Sequence, residues 1–102
     1  MAQVIWTEPA LQELDEIADY SSLDNPKSAK NLVQEVFSKV KRLKRQPDSG
    51  NILQEIPDSI YQQMIVSPCR IFFRHEKESG RVFIIHILRF EQLLYLKTLK
   101  AR

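Results

Sequence analysis

Apolar residues first fall at helical spacing along this chain and then at strand spacing. Positions Ala10, Leu11, Leu14, Ile17 and Ala18 form one stripe at a period near 3.6. Thr7 stands just before this stripe as an N-cap, with Glu8 and Pro9 in the first turn. Ser21 and Ser22 mark its end. A second, stronger stripe runs through Ala29, Leu32, Val33, Val36, Phe37, Val40 and Leu43. Asn25 caps it and Pro26 occupies its first position. Pro47, Asp48, Ser49 and Gly50 stop it. Two such helices, a few residues apart, predict an antiparallel helical hairpin. Gln3–Trp6 precedes it as a short strand.

The period then changes. Residues 51–59 read as irregular. Tyr61–Val66 and 70–75 read as strands, interrupted at Ser67 and Pro68. The polar run 76–80 is a hairpin loop. Residues 81–88 are nearly all apolar, as in a strand covered on both faces. Phe90, Leu93, Leu94 and Leu96 suggest a short C-terminal helix. The predicted order is β-α-α-β-β-β-α. The predicted class is α+β, with a helical hairpin packed on an antiparallel sheet of about four strands.

With 102 residues, the chain is expected to be a single domain spanning 1–102. At 43% hydrophobic and 27% charged residues, it is globular in composition. Cys69 is the only cysteine, so no internal disulfide forms, and a reducing cytoplasm is expected. There is no apolar run long enough to span a bilayer and no basic leader before an apolar stretch, so no membrane partner is expected.

The net charge is only +2, but the signs are segregated. Acids alone occupy 8–24, whereas 27–45 holds Lys27, Lys30, Lys39, Lys41, Arg42, Lys44 and Arg45 against a single Glu35. Two solvated helix faces account for this pattern, and so does a basic surface for nucleic acid or an acidic partner.

The chemical signatures of several enzyme classes are missing. Two glycines in all leave no phosphate-binding loop, and there is no Cys/His zinc set and no nucleophile elbow. Asp15, Glu16 and Asp19 read as a solvated helix face rather than a metal site. No cofactor is expected. What remains is a sheet bearing arginines. Arg70 and Arg74, four apart on one strand, should share a face, and Arg89 follows the last strand. Guanidinium groups match phosphate oxygens in a planar fork. Converging on one concave face, they would hold a nucleic-acid backbone or a protein target. Each has ion pairing with a nearby acid as its alternative. His86, in an apolar strand, and Tyr95, among leucines, are core residues or proton-moving groups.

The run from Ile5 through Trp6, Thr7, Glu8 and Pro9 to Tyr20 resembles the first helix of the RelE/ParE toxin superfamily. Asn25-Pro26 with Ala29, and Leu43 before Pro47 and Gly50, fit the same pattern. The stretch Val66, Ser67, Pro68, Cys69, Arg70, Ile71, Phe72, Phe73, Arg74 is similar to the superfamily's arginine-bearing aromatic strand. Ile84, Ile85, His86, Ile87, Leu88, Arg89 is similar to its last strand. The resemblance implies the toxin of a bacterial type II toxin–antitoxin system, of the kind that stabilises plasmids, neutralised by a cognate antitoxin. RelE-like members cut mRNA on the ribosome, whereas ParE-like members poison DNA gyrase.

RelE-like nucleases resemble one another in carrying lysines on the strand before the aromatic one. Here that strand is Tyr61, Gln62, Gln63, Met64, Ile65, Val66, without a cation. Cleavage at a ribose 2′-hydroxyl needs a base and an acid, and glutamine is neither. Arg70, Arg89, Tyr95 and His86 stay as candidate catalytic residues, with His75 or Tyr61 as substitutes. Arg70, Arg74 and Arg89 are the candidate target- or nucleic-acid-binding set. The long helical hairpin also favours the ParE-like branch, so gyrase is the expected target, with mRNA cleavage as the alternative. A plain nucleic-acid-binding module is a third reading. Leu23, Leu94 and Leu99 are large apolar residues that a small core cannot absorb, and they are expected to meet the antitoxin.

Overall fold

The computed structural model describes residues 1–90. The elements run β1 (Gln3–Trp6), α1 (Glu8–Ser22), α2 (Pro26–Lys41), a 3-10 turn (Arg42–Lys44), β2 (Asn51–Ile52), β3 (Tyr61–Val66), β4 (Cys69–Glu76) and β5 (Arg81–Arg89). Both helix starts follow the capping chemistry read from the sequence. Thr7 Oγ1 accepts from the Ala10 N–H at 3.4 Å, and Asn25 Oδ1 accepts from the Ser28 N–H at 3.2 Å. Each meets one of the amide groups that a first turn leaves unpaired. The predicted C-terminal helix, with Tyr95, Leu94 and Leu99, lies outside the described residues.

The sheet has five strands in the order β1-β5-β4-β3-β2. It differs from the expected four-stranded antiparallel sheet in two places. Strand β1 joins the edge and runs parallel to β5, so the sheet is mixed. The helical hairpin carries the chain from this edge to the opposite one, where it re-enters the sheet at β2. The segment read as irregular contributes β2, whose two residues pair with Gln62 and Gln63 of β3. A two-residue strand leaves no periodicity to read.

The main core lies between the hairpin and one sheet face. Ala10, Leu14 and Ile17 of α1 and Val36 and Val40 of α2 pack on Ile71, Phe73, Val82, Ile84 and Ile87. Leu43, fully buried, continues the stripe of α2 through the 3-10 turn. Each large aliphatic chain so covered contributes about 1.5–3 kcal/mol through the area it removes from water. The opposite sheet face has a smaller cluster of Leu53, Phe72 and Leu88, with Ile56 and Tyr61 at its margin. Phe83 and Ile85 on β5 are therefore only half-buried, and the expectation of a strand covered on both faces holds only in part.

One irregularity organises the site. Phe72 pairs with His86, but Phe73 pairs with Ile84, so Ile85 is an extra residue in β5. A regular strand alternates faces strictly, so residues three apart would point oppositely. The bulge resets that alternation. Ile84 and Ile87 consequently both enter the core beneath the helices.

Candidate functional site

The three arginines do not converge. Arg70 and Arg74 share a sheet face, as their spacing on β4 requires, but Arg89 lies on the other one. It pairs across the ladder with Cys69, which is buried in the core on the helix side. The concave three-arginine surface expected from the sequence is therefore divided by the sheet itself.

Arg70 is 7% exposed and closely held. Its NH1 and NH2 donate to the two carboxylate oxygens of Glu55 at 2.8 and 3.1 Å, and its Nε donates to Gln63 Oε1 at 2.8 Å. Its guanidinium carbon also sits 5.2 Å from the centre of the Phe72 ring. The hydrogen bonds from Arg70 hold the Glu55 carboxyl below its ordinary value, against the opposing effect of burial. A bidentate fork facing a carboxylate is the same fork that a phosphate would need. Arg74 is more open. It reaches Glu76 at 3.3 Å and lies 4.5 Å over the Phe83 ring.

On the helix side, the Arg89 guanidinium carbon stacks 4.2 Å over the ring of Tyr20, near the end of α1. Together with Glu13, Glu16, Ile17 and Leu88 these two side chains border a cavity of about 370 Å³. Glu13 closes the floor of this region. Its Oε1 accepts from the Ile87 N–H at 3.2 Å and lies 3.0 Å from His86 Nδ1. The carboxylate thus satisfies a backbone amide of β5 beyond Ile84, the last residue of that strand paired with β1. Thr7 does the complementary work nearby, donating from Oγ1 to the Ile84 carbonyl at 2.6 Å. His86 is thus placed against α1. His75, the other histidine, lies 2.9 Å from Asp48 through Nδ1, and that contact lowers the Asp48 carboxyl.

Several partners carried no clear mark in the sequence. Glu55 is 15 residues from Arg70 and sits in a segment without periodicity. Tyr20 carried no mark either. Glu13 had one: it is three residues after Ala10 and four before Ile17, both buried, so helical geometry places it at the margin of the buried face. Among the described residues, no group of three or more His, Cys, Asp or Glu side chains is arranged to hold a metal ion. Leu23, the described member of the expected antitoxin-contact set, is 82% exposed. The hairpin also leaves Leu11 and Phe37 partly open. With Ala18 and Val33 they line a groove of about 620 Å³, rimmed by Glu8, Asp15 and Glu16.

This fold has known counterparts. The family model for the ParE toxin of type II toxin–antitoxin systems, parDE, matches residues 4–94. The chain belongs to the ParE toxin family. Among solved structures, this ParE-family toxin is similar to a chain of the chromosomal ParDE system from P. aeruginosa, with 27% identity and a TM-score of 0.71. That match covers 87% of this chain and 96% of the other. Two further likenesses show the fold alone. A chain of the RelBE2 toxin–antitoxin complex from Mycobacterium tuberculosis matches at 19% identity and a TM-score of 0.58, over 86% of this chain and 96% of the other. The isolated E. coli RelE toxin matches at 18% identity and a TM-score of 0.57, over 99% and 98%. No curated protein sequence matches the chain, so the family model carries the sequence relationship.

Proposed function

We propose that this toxin arrests growth by binding DNA gyrase, without cutting RNA. The observation that carries the reading is the state of Arg70. A nuclease of this fold would turn that arginine on the scissile phosphate, with a base and an acid close by. Here both terminal nitrogens of its fork face Glu55, and β3 beside it offers Gln62 and Gln63 where general acid–base chemistry would need groups that titrate. His75 and His86 are each hydrogen-bonded to a carboxylate at different places in the fold. Membership in the ParE family supports the same target, since the ParE-like branch poisons gyrase.

Arg89 on its Tyr20 platform, with Arg74 on the opposite face, supplies the charged contacts to the target. Tyr95 completes the proposed set from outside the described residues. A cognate antitoxin covers the toxin in the resting cell, as the ParDE and RelBE2 assemblies suggest. Leu23, Leu94, Leu99 and the groove at Leu11 and Phe37 are its proposed contacts. No described helix is long and apolar enough to cross a membrane, which suits a toxin acting in the cytoplasm.

The test is induction of the toxin without antitoxin, with trapped gyrase–DNA complexes and RNA ends measured in the same culture. Stabilised gyrase–DNA complexes with intact transcripts are expected, and Arg89→Ala should weaken arrest while the protein stays folded. Cleaved mRNA within translated frames, with normal DNA topology, would transfer the assignment to ribonuclease.

A further inference from the structure

A dense run of cations among the described residues lies away from the arginines considered so far. Lys41, Arg42, Lys44 and Arg45 follow the last turns of α2 and border a cavity of about 390 Å³. All four are exposed. None makes an ion pair or a side-chain hydrogen bond with another described residue. The nearest acid in sequence, Asp48, is engaged by His75 and Gln62 instead.

Their geometry is fixed from below. Leu43, between them, is fully buried in the core, and the Lys44 carbonyl accepts from the Ala2 N–H at 2.8 Å. At about 100° per residue, positions 41, 42, 44 and 45 fan over the half-circle opposite Leu43. The turn is thus a supported platform presenting four cations to one side. One or two would suffice to complement the negative end of the helix dipole. The surplus needs another explanation.

Charge spacing selects the partner. Four charges over five residues, at about 1.5–2 Å of rise each, give about one cation per 2–2.5 Å. Duplex DNA carries one phosphate charge per about 1.7 Å of its axis. An extended acidic peptide advances about 3.3 Å per residue, so even a pure acidic run reaches about half that density. We propose that the basic turn 41–45 is a docking platform for the phosphate backbone of duplex DNA. The contact is independent of base sequence, because it is made by exposed cations to phosphates. It goes beyond the gyrase reading and does not require it.

The test uses purified full-length toxin and a fluorescent 20-bp duplex, with no gyrase present. Neutralising four phosphates predicts a slope of log K against log salt of about −3.6, a loss of roughly 100-fold in affinity between 50 and 200 mM salt. Changing the four residues together to Gln should bring the slope to −1 or shallower. Lys27→Gln with Lys30→Gln, a charge change elsewhere on α2, should leave it steep. A wild-type slope shallower than −2, or an unchanged slope in the fourfold variant, overturns the proposal. So does competition by a 20-residue polyglutamate as effective as that of unlabelled duplex, which would assign the platform to an acidic protein segment.

Discussion

Removing the Glu55 carboxylate should cost more than removing the whole Arg70–Glu55 pair. In Glu55→Ala, two donors of a guanidinium that is 7% exposed lose their acceptors, and only Gln63 remains. Breaking a buried pair from one side costs about 3–5 kcal/mol. The Glu55 side chain is 32% exposed, so water reaches its end of the pair and reduces the cost. A loss of about 2–3 kcal/mol follows, in the range of hydrogen bonds to charged groups. With an unfolding entropy of about 2.1 cal/mol/K per residue, this lowers Tm by roughly 10–14 °C. Arg70→Met with Glu55→Ala removes both charges and keeps an apolar stem against Phe72. It should recover at least half of that loss. Thermal unfolding followed by circular dichroism measures all three proteins, and growth arrest per folded molecule measures function. If Arg70 serves the fold, the double variant still arrests cells. A Glu55→Ala protein with wild-type Tm, or an Arg70→Lys protein with wild-type Tm and no toxicity, would refute the structural role.

The remaining predictions draw on other contacts. The lowered Glu55 carboxyl stabilises the fold at pH above its ordinary value of 4.5. That contribution is lost as pH falls below 4.5 through the lower folded value, so the Tm gap between wild type and Glu55→Ala should shrink in acid. Gly50→Ala should destabilise by about 1–3 kcal/mol, measured by urea unfolding, through overpacking. An added Cβ would lie 2.5 Å from Phe73 Cζ and 2.9 Å from the Gln63 carbonyl oxygen, and the ring it meets is in the core. Leu11→Ala with Phe37→Ala should weaken antitoxin binding at least tenfold by calorimetry while the protein stays folded, at a modest cost in Tm because Phe37 also packs on Trp6. Unchanged affinity would remove the hairpin groove from the antitoxin surface.

The elements legible in the sequence were those whose side chains meet one continuous environment. Both helices bury one stripe, and both carry a polar cap followed by proline, so periodicity and capping chemistry agree on their limits. Strand β3 was found at its observed bounds, and β4 and β5 within one residue at each end. The parallel seat of β1 was not legible, because four residues can pair with either edge in either direction. Strand β2 was hidden for a simpler reason: its two residues are both exposed, and only their hydrogen bonds to β3 make them a strand.

The site was legible in its residue types and not in its faces. Counting along β4 correctly put Arg70 and Arg74 together. Counting could not carry the same face to Arg89, because the ladder joins it to Cys69 and the bulge at Ile85 intervenes between two otherwise regular runs. A bulge leaves no mark in an apolar stretch where nearly every residue is β-branched or aromatic. Strand β1 pairs with β5 only as far as Ile84, so beyond it the edge amide of Ile87 has no strand partner and donates to the Glu13 carboxylate instead. The bulge separately moves Arg89 to the helix side, beside Tyr20. Glu13 and Arg89 thus meet at one junction of α1 and β5. Glu13→Leu, which leaves the buried Ile87 amide without its acceptor, should destabilise the toxin by about 1–3 kcal/mol in urea unfolding; an unchanged midpoint would remove Glu13 from the support of β5.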